Sequence, residues 1–125
     1  MTHDIVLDQG WAPPACTLPT AERPLRVAEF DALFAETVRA VRREERARLR
    51  LELAFSPEHA ARAAELTARE NGCCSFFTFT LTIAGGGLTL DVAVPPGHAG
   101  VLDALQARAG AAARSTAPAE AGRPA

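Results

Sequence analysis

The stretch "FFTFTLTIAGGGLTLDVAV", residues 76 to 94, constrains the fold most. Phe77, Phe79, Leu81 and Ile83 alternate with Thr78, Thr80 and Thr82, and beyond "AGGG" Leu88, Leu90, Val92 and Val94 alternate again. Successive side chains on a strand point to opposite faces, so each arm has one apolar face and one wet face. The glycines supply a turn, and the two arms form a hairpin. Such a hairpin is marginal by itself and needs a second layer over its apolar face.

Alternation recurs in "RLRLELAF", with Leu49, Leu51, Leu53 and Phe55 on one face and Arg48, Arg50 and Glu52 on the other. Upstream, Val27, Phe30, Phe34, Val38 and Val41 recur at spacings of three and four, which predicts an amphipathic helix from Pro24 to Arg43. Ser56, Pro57 and Glu58 form an N-cap, a first-turn proline and a first-turn acid, so a helix is expected from Pro57 to Asn71, closed by a left-handed Gly72. Val101, Leu102 and Leu105 mark a last helix from Gly97 to Ala109.

The resulting order is strand-helix-strand-strand-helix with an additional N-terminal helix. That makes a two-layer α+β domain over residues 20–109, a three-stranded sheet with helices on one face. If the strands at 48–55 and 77–83 lie side by side, their crossover is right-handed. Residues 1–19 hold Gly10, Pro13, Pro14 and Pro19 and read as an N-terminal arm anchored by Trp11. Residues 110–125 offer little to bury and read as a disordered tail.

The chain has 13 basic and 15 acidic residues, and Glu44 and Glu45 interrupt its Arg-rich run. Phosphate binding needs an uncompensated basic patch, so nucleic acid is not an expected partner. No apolar run approaches the roughly 20 residues that cross a bilayer, and the first residues lack a signal-peptide pattern. A cytoplasmic protein without a membrane partner is expected.

In that compartment thiols stay reduced, and three cysteines are an odd count. Cys16, Cys73 and Cys74 are therefore expected as thiols or ligands and not as a disulfide framework. Extended backwards from the hairpin, strand alternation gives Cys73 the parity of Phe77 and Cys74 that of Thr78, so the pair converges on one ion only if the exit of the preceding helix distorts the pattern. A helix C-terminus and Glu70 disfavour a thiolate, whereas a metal ion deprotonates the thiols it binds. Three thiolates suit mercuric or cuprous ion or arsenite; zinc would want a fourth ligand, for which Glu70, His98 and His3 are candidates.

Plainer readings stand beside these. Cys73 and Cys74 can be small buried hydrophobes flanking Phe76 and Phe77. His98 and His59 are by default exposed first-turn side chains, Glu65 and Glu70 belong to a solvated helix face, and Phe76, on the threonine face, is expected at the surface as a dimer contact or ligand wall.

The segments "ARENGCCSFFTFTLT", "GGGLTLDVAVP" and "ACTLPTAERPLRVAEFDALFA" resemble a family of small bacterial proteins of uncertain function. Its marks are an acid, two cysteines, clustered phenylalanines and an upstream cysteine, here Glu70, Cys73, Cys74, Phe76, Phe77, Phe79 and Cys16. The resemblance covers most of residues 15 to 105. Such proteins look similar to companions or appended segments of metal-responsive regulators of the mercury-resistance type, which implies a soft-metal role. The expectation is a soft-metal or metalloid (mercury, copper, arsenic or zinc) binding protein using Cys16, Cys73 and Cys74, with Glu70 and His98 as further candidates. One alternative is a non-catalytic homodimeric interaction module with packing cysteines, and another is a thiol redox or lyase enzyme in which Glu70 or His98 handles protons.

Overall fold

A computed structural model describes residues 23–121. Helix α1 (Arg23–Thr37) leads directly into strand β1 (Val38–Glu45), which turns at Arg46 and Ala47 into β2 (Arg48–Leu53). Helix α2 (Pro57–Cys73) follows, then β3 (Thr78–Ala84), β4 (Gly87–Ala93), a single 3-10 turn (Pro96–His98) and α3 (Ala99–Ala121). The strands make one antiparallel sheet in the order β1-β2-β4-β3. Among the described residues the fold is thus α+β, with three helices and a four-stranded antiparallel sheet.

The expected hairpin is present. Ala84 pairs with Gly87, and Gly85 and Gly86 between them have φ of 58° and 75°, left-handed values that a side chain strains to reach. The α2 N-terminus also forms as its sequence dictates: the Ser56 hydroxyl accepts from the His59 N–H at 3.0 Å, with Pro57 in the first turn and Glu58 beside it.

The fourth strand corrects the helix expected over Pro24 to Arg43. The helix stops at Thr37, whose hydroxyl bonds back to the Leu33 carbonyl at 2.7 Å, while the Thr37 carbonyl accepts from the Ala54 N–H. Val38 and Val41 are β-branched and continue as a strand against β2, with Val41 opposite Leu51. Their spacing of three fitted a helix by coincidence of register, and the two irregularities in β1, at Val38/Ala40 and Arg43/Glu45, explain why no clean alternation is visible there.

Further boundaries differ. Helix α2 runs through Gly72, which has no left-handed φ, and ends at Cys73 with Cys74 as its cap. Strand β2 stops at Leu53, so Phe55 lies beyond it and is 44% exposed. Helix α3 extends past the expected end at Ala109 to Ala121, and the alanine-rich run 107–113 favours its continuation beyond Ala109. The strands at 48–53 and 78–84 are not neighbours, since β4 lies between them.

The three helices among the described residues cover one face of the sheet. Leu49, Leu51 and Leu53 of β2 and Leu88, Leu90 and Val92 of β4 are buried against Phe30, Leu33 and Phe34 of α1, Ala63 and Leu66 of α2, and Leu102, Leu105 and Ala109 of α3. Burying a large apolar side chain is worth about 1.5–3 kcal/mol, so this layer carries most of the stability. The opposite face is polar, with Arg50 bonded to Asp91 across β2 and β4 at 2.9 Å. Arg108 of α3 grips Asp31 of α1 with two hydrogen bonds, 3.0 and 2.7 Å, tying the helices at their rim. Among the described residues no helix is long and apolar enough to cross a membrane.

Candidate functional site

The acid, the cysteine pair and the phenylalanines meet at one end of the sheet, where α2 finishes, β3 begins and β4 leaves for the 3-10 turn. Residues 74–77 link α2 to β3 and precede the strand proper, so the alternation expected for Cys73 and Cys74 does not apply to either. Cys73 closes the helix and is half-buried. Cys74 leaves helical geometry with φ −126° and ψ 82°, its N–H still bonded to the Glu70 carbonyl at 2.7 Å, and is 1% exposed.

Cys74 is disulfide-bonded. This corrects the expectation that it is a thiol: the odd cysteine count excludes a framework but not a single bond. Cys73 takes no part in that disulfide. Cys16, Trp11 and His3 lie outside the described residues.

Glu70 lies in the last turn of α2, four residues before the Cys74 cap. It is 1% exposed, not solvated as expected for this helix, and its Oε1 accepts from Arg26 Nη1 of α1 at 2.7 Å. Its Oε2 is buried without a hydrogen-bond partner among the described residues. Burial pushes the carboxyl above the usual carboxylate range, and the hydrogen bond and charge of Arg26 offset this only in part. Glu65, by contrast, is exposed and pairs with Arg69.

Phe76 is half-buried and not at the surface as its parity suggested. Its ring stacks on His98, with centroids 4.3 Å apart and planes at 15°, and meets Phe77 at 4.6 Å. Phe77 is 3% exposed and stacks on Phe79 at 5.0 Å, while the Asn71 amide donates to its carbonyl at 2.7 Å. His98, expected to be exposed, is half-buried, and its Nδ1 is buried without a hydrogen-bond partner among the described residues. His59 is likewise half-buried and holds the Ala54 carbonyl at 2.8 Å through Nδ1.

The chain is therefore folded so that Glu70, Cys73, Cys74, Phe76 and His98 share one end, where sequence placed them as separate candidates. The residue missed was Arg26. It lies 44 positions from Glu70 in an arginine-rich chain, and nothing in its local pattern distinguishes it.

Among the described residues no group of three His, Cys, Asp or Glu side chains is arranged to hold a metal ion. With Cys74 oxidised and Glu70 Oε1 held by Arg26, the donors as they stand do not fit one. Reduction would return Cys74 to the donor set, beside Cys73. Comparisons with protein-family models, curated proteins and solved structures gave no match.

Proposed function

We propose that this protein handles a thiophilic metal or metalloid through its cysteines, and that the Cys74 disulfide is the oxidised form of that site. Cys73 is outside the bond and the chain's one further cysteine is Cys16, so Cys16 is the proposed partner. Two electrons and two protons from a cellular dithiol would convert the bond to two thiols, leaving Cys16, Cys73 and Cys74 as three soft donors. The ion is cargo to be sensed, buffered or delivered, and the resemblance to companions of mercury-resistance-type regulators agrees with that role. Glu70 and His98 are kept as additional ligands only for an ion that needs a fourth donor.

The observation that carries this reading is the disulfide on Cys74 with Cys73 directly beside it. In a cytoplasmic protein, the expected setting, such a bond belongs to redox or catalytic chemistry more often than to a permanent staple. A merely packing pair would give Cys74 no reason to be oxidised. The helix-end position also argues against a standing thiolate nucleophile and for thiols that ionise on meeting a cation.

Native mass spectrometry of the protein titrated with mercuric, cuprous, zinc and arsenite ions, before and after reduction, tests it. One ion per chain, retained against a competing small-molecule thiol, is expected after reduction only, and it is lost to that competitor in Cys16→Ala and in Cys73→Ala/Cys74→Ala. Equal retention by the oxidised protein or by either variant would overturn the three-thiol site, and no retention at all would end the metal reading.

A further inference from the structure

The two edges of the sheet are built differently. The β1 edge carries Arg39, Arg42, Arg43, Glu44 and Glu45 and two register irregularities, devices that discourage another strand from pairing there. Strand β3, "TFTLTIA", has no charge, no proline and no irregularity in its register with β4. Its Ile83 is 58% exposed, and Phe79 and Leu81 on the same face are only half covered. Alongside runs a groove of about 540 Å³ between β3 and α2, floored by small side chains including Ala64, Thr67 and Ala68.

The backbone of β3 says more. A two-residue hairpin is closed by a hydrogen-bonded pair, here Ala84 with Gly87, and such pairs alternate along the ladder. Thr82, Thr80 and Thr78 therefore spend their N–H and C=O groups on β4, while Phe79, Leu81 and Ile83 aim theirs outward. An antiparallel copy of β3 placed on a two-fold axis at Leu81 sets Leu81 opposite Leu81, Phe79 opposite Ile83 and Thr80 opposite Thr82. In that register every outward N–H meets an outward C=O. It also covers the exposed Ile83 with an aromatic ring and joins the threonines into a ladder on the wet face.

We propose that β3 is a dimerisation edge, and that two copies pair through it about a two-fold axis at Leu81 to make one continuous sheet of eight strands. The occupant is a second copy because the strand is complementary to itself in one register that satisfies all its outward groups, and because a neutral strand imposes no charge penalty on its own twin. Seven residues at about 3.4 Å each, over a two-layer depth of roughly 15–20 Å, bury on the order of 700–950 Å² in total, below the usual range for tight complexes. An interface of that size belongs to the weak, transient class, so the dimer is expected to dissociate on dilution.

Sedimentation velocity from about 1 to 300 μM, with reductant present so that no interchain disulfide contributes, is paired with amide hydrogen exchange at both ends of that range. Wild-type protein shifts from monomer to dimer as concentration rises. The amides of Phe79, Leu81 and Ile83 become protected over the same range, while those of Thr80 and Thr82 are protected throughout. Ile83→Lys, at an exposed position that leaves the folded monomer intact, weakens the dimer at least tenfold. A monomer at every concentration overturns the proposal, as does a dimer that Ile83→Lys leaves unchanged or whose three outward amides exchange at the same rate at both concentrations.

Discussion

Replacing Arg26 by methionine isolates the electrostatics of the candidate site, because methionine keeps much of the arginine stem while removing the donor that holds Glu70 Oε1 at 2.7 Å. Glu70 is then a buried carboxylate with neither oxygen paired among the described residues. A buried ion pair broken on one side costs about 3–5 kcal/mol when the remaining charge has no escape. Here protonation is an escape. Holding a carboxyl neutral at pH 7, against an unfolded value near 4.3, costs about 1.4 kcal/mol per pH unit and so at most about 4 kcal/mol. The wild-type carboxyl is already pushed up by burial despite Arg26, so part of that cost is present before the change. Adding about 1 kcal/mol for the lost hydrogen bond gives an expected loss of about 2–4 kcal/mol at pH 7. At pH 4.5 the carboxyl is largely neutral in the folded variant at little cost, and the loss falls to about 1 kcal/mol. Urea unfolding of both proteins at the two pH values measures this. A loss below about 1 kcal/mol at pH 7, or one of equal size at both pH values, would refute the reasoning.

Glu70→Gln tests the same group from the other side: a carboxyl with a raised folded value favours the folded state below it, so wild-type stability falls as pH rises from the ordinary carboxylate value through the raised one, and the variant's unfolding curves lose that component. Reduction removes the cross-link on Cys74; if its partner is Cys16, a loop of roughly 59 residues is opened and stability drops by about 2–4 kcal/mol, read as a fall in melting temperature on adding reductant. Gly86→Ala meets open space but must hold φ near 75°, so it costs about 1–2 kcal/mol in thermal unfolding, and Gly86→Asn costs less. Phe76→Ala removes both ring contacts and costs about 2 kcal/mol by urea unfolding, with loss of aromatic near-ultraviolet ellipticity.

The β3–β4 hairpin, β2 and the start of α2 were legible because their signals are local: strict alternation, glycines at a turn, and a capping serine followed by proline. β1 was not, because two irregularities blur its alternation and the spacing of Val38 and Val41 suits a helix equally well. The far end of α3 was missed for a related reason, since alanine supplies propensity without a buried stripe. At the site, the sequence singled out Glu70, Cys73, Cys74 and His98, but their surroundings are set by chain segments far apart in sequence. Glu70 looked solvated until Arg26 of α1 closed over it, and Phe76 looked exposed until the turn at Pro96–His98 brought His98 against its ring. Parity also misled at Cys73 and Cys74, because α2 continues to Cys73 and the strand begins only at Thr78.

Differential alkylation with peptide mapping tests the three-thiol site most directly. In the protein as isolated, a first reagent added without reductant should label Cys73 alone, and a second added after reduction should label Cys16 and Cys74. One equivalent of mercuric ion given to the reduced protein should then shield all three from alkylation. Rapid labelling of Cys16 in the mercury-treated protein, or of Cys16 and Cys74 before any reduction, would contradict the site.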